Sequence, residues 1–225
     1  MTRRRRGLHL AIGCTAAVLY SNFLLDLMIP GPHEWAKQVS ALEIPGHRSA
    51  GLLRTTDVVS ALLVLSQLPA VRRALPRSRW RTVVLGGVAA FAAGGILAAI
   101  ITLPAPGTEE LHRTRHLVHD LSSIVSVGGM VASAAAARIL LRGPRERRPR
   151  WLTAAVVVVA IGCAAELGSE VLVALWPGLD LVDGLAQRAQ MLTLSAWIVG
   201  LARLAGWAGP TGSGPDAAAG GRIAP

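Results

Sequence analysis

The sequence predicts an all-α membrane protein, a bundle of six transmembrane helices with both termini in the cytoplasm. Three observations lead to this fold class. Of the 225 residues, 52% are hydrophobic and only 16% are charged, and the mean hydropathy is +0.48. Soluble domains carry about 25% charged residues. The long apolar segments are separated by polar stretches, and the arginines fall in short clusters between them, as the positive-inside bias of membrane proteins would place them.

The formal net charge of +10 does not indicate a nucleic-acid-binding protein. The basic clusters have almost no aromatic residues between them, and they coincide with the ends of apolar segments. Cys14 and Cys163 both lie inside apolar segments, so a disulfide framework is not expected. Composition therefore indicates the lipid bilayer, and no nucleic acid, as the partner.

The first predicted helix, at residues 8–29, follows the basic cluster Arg3–Arg6. A basic start before an apolar run is also typical of a signal peptide. This run is too long for one, and no small-residue cleavage site follows it. We therefore predict a membrane helix, with Asn22 and Asp26 on one face near its far end.

Residues 30–49 are polar and are bounded by Pro-Gly pairs, which favour turns. Within this stretch, Glu34 to Leu42 predicts a short helix at the membrane interface, anchored by Trp35.

The second and third predicted helices cover residues 50–71 and 83–103. The second carries Arg54 and Asp57 along one side. The third has no charged residue, and its glycine and alanine spacing is typical of helices that pack closely in membranes.

The remaining predicted helices cover residues 112–141, 152–175 and 185–204. The fifth carries Glu166 near its middle, and the sixth opens with Gln187 and Arg188. The predicted transmembrane domain is thus 8–205. Residues 206–225 are rich in Gly, Pro and Ala and predict a disordered cytoplasmic tail.

The distribution of basic residues predicts the topology. With six spans, 17 of the 23 Lys and Arg residues fall on the side of the N-terminus. Because that excess marks the cytoplasmic side, both termini are predicted to be cytoplasmic, and the protein to be a multi-pass protein of the plasma (inner) membrane.

Ionisable residues from five of the six helices are predicted to form one polar cluster that opens away from the cytoplasm. Ionisable groups are costly at membrane depth and normally pair or line a cavity. Three alternatives stay open: Arg54 and Asp57 neutralise each other, Asp26 and Arg188 extend to the water interface, or Glu166 pairs with Arg188 or a histidine. The predicted cluster consists of Asp26, Arg54, Asp57, His116, His119, Asp120, Glu166 and Arg188.

The fourth helix also carries a candidate metal site. His112, His116, His119 and Ser123 fall on one narrow stripe of a helix, with Asp120 at its edge. His116, His119 and Asp120 are candidate zinc ligands, and His112 with His116 is the alternative pair. Because His112 and His119 are too far apart to share one ion, two histidines and a carboxylate from another helix are the expected ligands. The alternative is that neutral histidines hydrogen-bond across helices.

Several segments of the chain share a recognisable set of residues. These are Ser40, Leu42, Glu43, Pro45-Gly46, Arg54, Asp57, His119-Asp120, Ser123, Gly184-Leu185, Arg188 and Trp197. With these residues the chain resembles, over most of Leu8–Leu204, a bacterial membrane family catalogued as domain of unknown function 998, which is common in actinobacteria. The chain has Ala41 where the family usually shows Glu. The resemblance implies a fold and a membrane location, because the family has no established activity.

Three functions are consistent with these patterns. The first is a membrane-embedded hydrolase of a lipid-linked small molecule, with a metal to activate water and Asp57 or Asp120 as the general base. The second is a transporter or proton relay. The third is a non-catalytic assembly or sensor protein in which the polar cluster only holds helices together.

Overall fold

The computed structural model describes residues 3–26, 28, 34–142, 150–176 and 178–207, and this part of the chain contains helices and no strand. Two of the helices are single turns, and the other six are long. In order they are α1 (Arg3–Tyr20), α2 (Phe23–Asp26), α3 (Val39–Leu42), α4 (Ala50–Ala74), α5 (Arg79–Ile100), α6 (Arg113–Leu140), α7 (Arg150–Leu175) and α8 (Asp180–Ala205).

The long helices alternate in direction. The α1 and α8 helices run antiparallel, because Gly13 lies against Ala202 while Ser21 Oγ is 2.8 Å from Ser195 Oγ. The other neighbouring long helices also pack antiparallel. These pairs are α1 and α4, α4 and α5, α5 and α6, α6 and α7, and α7 and α8. Asp57, His119 and Arg188 therefore lie toward one end of the bundle, and Arg72, Arg73 and Arg138 lie toward the other.

Helix α5, which has no charged residue after Arg81, packs closely against α6. A Cβ atom on Gly94 would lie 2.4 Å from the Ser122 carbonyl oxygen, and one on Gly87 would lie 2.3 Å from that of Gly129. Only glycine permits backbones to approach so closely. Gly86, one position away, faces open space, so the small-residue pattern includes positions that the packing does not need.

Four of these helices are long and apolar enough to cross a membrane. They carry large apolar side chains on their outer faces, including Leu62, Ile124 and Ile161, as expected of surfaces that face lipid. The four are Ala50–Ala74, Arg79–Ile100, Arg113–Leu140 and Trp151–Leu175.

The sequence predicts one continuous helix over residues 8–29, whereas the structure interrupts the helix in this stretch. Helix α1 ends at Tyr20, and a turn at Ser21 and Asn22 separates it from α2. The Asn22 amide points inward and donates to the Leu53 carbonyl at 3.1 Å and to Asp57 Oδ1 at 2.7 Å. Tertiary hydrogen bonds outweigh the helical preference of the apolar run at this point.

The stretch Glu34–Glu43, here called the lid segment, covers the polar end of the bundle. It contains α3, whose Val39 and Leu42 side chains are only 2% and 1% exposed and pack on Phe23, Leu53 and Met191. The segment predicted as an interfacial helix is therefore a single buried turn. The side chain of Asp26 and all residues of the predicted tail from 208 onward lie outside the described residues.

Candidate functional site

A cavity of about 130 Å³ lies beneath the lid segment. It is bounded by the lid and by α1, α4, α5, α6 and α8, so five long helices contribute to its walls. Its apolar lining comes from Val39, Ala61, Phe91, Gly95, Ala98, Val127 and Met191, and its polar lining from Tyr20, Ser40, Glu43, Asp57, His119, Ser123, Ser126, Gln187 and Gln190.

Two carboxyl groups, those of Glu43 and Asp57, face each other in this cavity. Their side chains are hydrogen-bonded to each other. Because ionised carboxylates only accept hydrogen bonds, this contact requires a proton on one of the two. Asn22 Nδ2 donates to Asp57 Oδ1 at 2.7 Å. At least one of the two acids therefore carries a proton in this arrangement, and Asn22 supports the Asp57 side.

Glu43 is the last residue of the lid segment, directly before the loop that leads into α4, and it is 5% exposed. Burial raises the pKa of Glu43 to about 7, against the opposing effects of the hydrogen bond to Asp57 and the charge of Arg54. A carboxyl with a pKa near neutrality can exchange its proton under physiological conditions.

His119 contributes a hydrogen-bond acceptor to the cavity lining. It is 4% exposed, and its Nδ1 atom lies 2.8 Å from the Ile101 carbonyl oxygen and 3.3 Å from that of Ala98. Carbonyl oxygens only accept, so Nδ1 carries a proton, and Nε2 is the ring atom that can accept a hydrogen bond. These contacts tie α6 to the end of α5.

The lid segment is held on α8 by Arg188. This buried guanidinium donates to the carbonyl oxygens of Trp35 at 3.1 Å, Lys37 at 2.9 Å and Glu34 at 3.3 Å. It also lies over the Trp35 ring, 5.1 Å from its centroid. One arginine thus satisfies three backbone carbonyl groups of the lid segment that would otherwise be buried without partners.

Other α8 side chains continue the attachment. Gln38 Nε2 donates to Asp183 Oδ2 at 2.9 Å, and the Val39 amide donates to Gln187 Oε1. A Cβ on Gly184 would lie 2.1 Å from the Trp35 carbonyl oxygen, so glycine is required where the lid approaches α8. The lid segment is therefore held on the N-terminal half of α8.

Of the residues in the predicted cluster, Asp57 and His119 both lie in the cavity lining. Arg54 lies beside them, but its Nε donates to the Ala99 carbonyl oxygen at 2.7 Å, at the C-terminal end of α5. Arg188 holds the lid and is not part of the cavity lining.

Glu166 is buried but does not line the cavity. The charged groups that face it include the carboxylates of Asp183 and Glu170. Its Oε2 atom has no hydrogen-bond partner among the residues that the structure describes. Ser169 Oγ lies between α7 and α8, 2.8 Å from the Glu166 carbonyl oxygen and 3.1 Å from Asp183 Oδ1.

The candidate zinc ligands are divided between two environments. His116 Nε2 lies 3.5 Å from Asp120 Oδ2, with 43% and 50% of the two side chains exposed, whereas His119 is turned into the bundle. His112 is exposed at the start of α6. Within the described ranges, no three His, Cys, Asp or Glu side chains are placed to hold one metal ion.

Glu43 is the main residue absent from the predicted cluster. It lies in a loop, between Leu42 and Ile44, where a pattern of helical faces gives no signal. The available signal was its place in the segment that resembles a known family. Tyr20, Gln187 and Gln190 were likewise not assigned to a site, because uncharged polar residues are common in membrane helices.

The fold and the cavity define a class: an all-helical membrane protein with a lidded cavity, lined by two carboxyl groups, at one end of its bundle. Within that class, the chain belongs to the family described as a protein of unknown function (DUF998), whose model matches residues 11–204. The resemblance noted in the sequence is thereby confirmed. No match was found among curated proteins, and none among solved structures.

Proposed function

We propose that the protein crosses the plasma (inner) membrane six times, with both termini in the cytoplasm and the lid segment outside. The antiparallel packing of α1 and α8 against the four apolar helices supports six spans. The arginine clusters at the end opposite the lid support the orientation.

Lys37 allows a direct test of this topology. It is the only lysine in the sequence, and its side chain is 51% exposed on the lid segment. We expect a membrane-impermeant amine reagent to label Lys37 in intact cells. The measurement is mass spectrometry of the purified protein after labelling.

The Lys37→Arg variant is the matched control, because it keeps the charge and removes the amine. It should show no lid labelling in intact cells. Labelling of Lys37 in inverted vesicles, but not in intact cells, would reverse the proposed orientation.

We infer that the cavity binds a small cationic group, of which a primary ammonium is the best fit. The observation that carries this function is the buried pair Glu43 and Asp57, whose hydrogen-bonded carboxyl groups both line the cavity. An ammonium group can donate to both carboxylates, and His119 Nε2 and the glutamines supply further acceptors. At about 130 Å³ the cavity suits a headgroup or small amine, not a whole lipid.

Binding of a cation should displace the shared proton. A second carboxylate becomes available only when that proton leaves, so proton and ligand compete for the pair. The lid segment would open to admit the ligand, and a lipid-linked amine would enter with its chains left in the bilayer.

Ethanolamine is a suitable probe. We expect it to raise the thermal midpoint of the detergent-purified protein by about 5 °C at a hundred-fold excess over its Kd. The shift should be larger near about pH 8 than near about pH 6, because the proton competes at the lower pH. Tryptophan fluorescence during heating measures the midpoint.

The Glu43→Gln variant should lose the ethanolamine shift, whereas Asp120→Asn should retain it. Asp120 is a carboxylate of similar depth on α6 that lies outside the cavity. Ethylene glycol is the uncharged control of similar size. An equal shift with ethylene glycol, or equal losses in the two variants, would contradict a cation site.

Hydrolysis of a lipid-linked substrate is the second candidate function. Two carboxyls that share a proton can act as general acid and general base, with Asp57 in one of these roles. This scheme does not require the candidate zinc site, and Asp120 lies outside the cavity. Release of a headgroup from a labelled lipid, lost in Asp57→Asn, would support it.

Transport is less well supported by the described residues. Beyond the cavity, toward the arginine end, the core between the helices is filled by apolar side chains, among them Met130, Leu194, Trp197 and Leu201. This apolar packing does not favour passage of a polar substrate through the described part of the bundle. If the cavity residues have a purely structural role, their substitution should lower stability, and no ligand should shift the thermal midpoint.

A further inference from the structure

A second concave site lies at the other end of the bundle, where α4 meets α5. It is a groove of about 800 Å³ around the loop between these two helices. Four arginines line it: Arg72, Arg73, Arg77 and Arg81. We call it the arginine groove.

The arginine groove has no acidic side chain in its lining. In the described part of the chain, none of its four arginines forms an ion pair. Three of them are exposed and Arg81 is partly buried. Four neighbouring guanidinium groups repel one another, so the groove favours a ligand with negative charge.

The shape and position of the groove add two constraints on the ligand. Its wall includes Leu68, Leu75 and Leu85 beside the arginines. It also lies at adjoining ends of α4 and α5, two of the helices that are long and apolar enough to cross a membrane. A ligand that fits both the charge and the apolar wall is itself amphipathic and lies at the membrane surface.

We propose that the arginine groove binds the phosphate headgroup of an anionic phospholipid. Guanidinium groups form paired hydrogen bonds with phosphate oxygens, and basic pockets between transmembrane helices suit such headgroups. A lipid with two phosphates, such as cardiolipin, matches the four arginines and places its acyl chains against the leucines. The site is separate from the lidded cavity and does not depend on its proposed function.

Native mass spectrometry of the detergent-purified protein tests this proposal. Cardiolipin should bind at one site, and phosphatidylcholine should not compete. In the Arg72→Gln/Arg77→Gln variant we expect cardiolipin to bind about thirty-fold more weakly, as the loss of two arginines at a membrane surface implies. Both arginines are exposed, so the fold should tolerate the change.

The Arg3→Gln/Arg4→Gln variant is the matched control. It removes the same charge at the same end of the bundle, outside the groove, and should bind cardiolipin like the wild type. Equal weakening in both variants would show diffuse surface attraction and overturn the proposal. Displacement of cardiolipin by equimolar inorganic phosphate would identify a free-phosphate site and overturn it too.

Discussion

Replacement of Arg188 by methionine is expected to release the lid segment. Methionine keeps apolar length beside Trp35 and Phe23, but it cannot donate to the carbonyl oxygens of Glu34, Trp35 and Lys37. Charge-assisted hydrogen bonds contribute about 1.5 to 3 kcal/mol each, and buried groups left without partners cost more. We therefore expect a loss of roughly 3 kcal/mol or more in the free energy that keeps the lid closed.

A lysine-specific protease can measure this release. Its only cleavage site in the sequence is after Lys37, whose carbonyl oxygen accepts a hydrogen bond from Arg188 Nη1 at 2.9 Å. Cleavage requires the lid to open, so a loss of 3 kcal/mol should accelerate it about a hundred-fold.

Arg203→Met on the same helix is the control. Arg203 is exposed and lies over the Trp151 ring at the opposite end of the bundle, so its loss should leave cleavage at Lys37 unchanged. Wild-type cleavage rates in the Arg188→Met variant would show that the lid is held by its apolar contacts instead.

The second large effect is expected in the pH dependence of stability. Because burial raises the pKa of Glu43 from 4.5 to about 7, the folded protein holds a proton that the unfolded chain releases. Stability from this group is therefore greatest below pH 4.5 and falls as the pH rises toward 7. The fall amounts to about 3 kcal/mol at most.

Glu43→Gln should remove this part of the pH dependence. Glutamine stays neutral and can still form a hydrogen bond with Asp57, so the variant should match the wild type near about pH 4.5 and exceed it by up to about 3 kcal/mol near about pH 8. Chemical denaturation in detergent at several pH values gives the free energies of unfolding.

Glu34→Gln provides a control of opposite sign. The hydrogen bond from Lys37 lowers the pKa of Glu34, and His47 acts in the same direction. Its stabilising effect is present at neutral pH and is lost as the pH falls, so this variant should be less stable than the wild type only at higher pH. Glu34 and Lys37 are both partly exposed, so the loss of stability in the Glu34→Gln variant should stay below about 1 kcal/mol. A Glu43→Gln profile parallel to that of the wild type would contradict the raised pKa.

The helical class and the apolar helices were predictable because hydropathy acts locally. Each long apolar run must become a helix in lipid, since no water is present to satisfy its backbone. The break at Ser21 and Asn22 was not predictable in the same way. It depends on Asp57 and the Leu53 carbonyl, which are more than 30 residues away in the chain.

The candidate site was predictable in part. Costly ionisable groups at membrane depth identified Asp57 and His119, which both line the cavity. The same argument grouped Glu166, Asp120 and His116 with them, because helical periodicity gives the face of a residue but not the neighbour it meets. Glu43 was not in the predicted cluster because it lies in a loop. For a loop residue, helical periodicity gives neither the face it is on nor its depth in the membrane.

By itself, the sequence determined the helical class, the apolar helices and the family, since these follow from composition, period and local motifs. The tertiary structure alone decided which acid is hydrogen-bonded to Asp57. It also decided that Arg188 holds the lid segment and does not line the cavity. The physical reason is that a carboxyl pair and a buried guanidinium are defined by partners distant in sequence. Only the packing of the lid segment on α8 brings those partners within hydrogen-bonding distance.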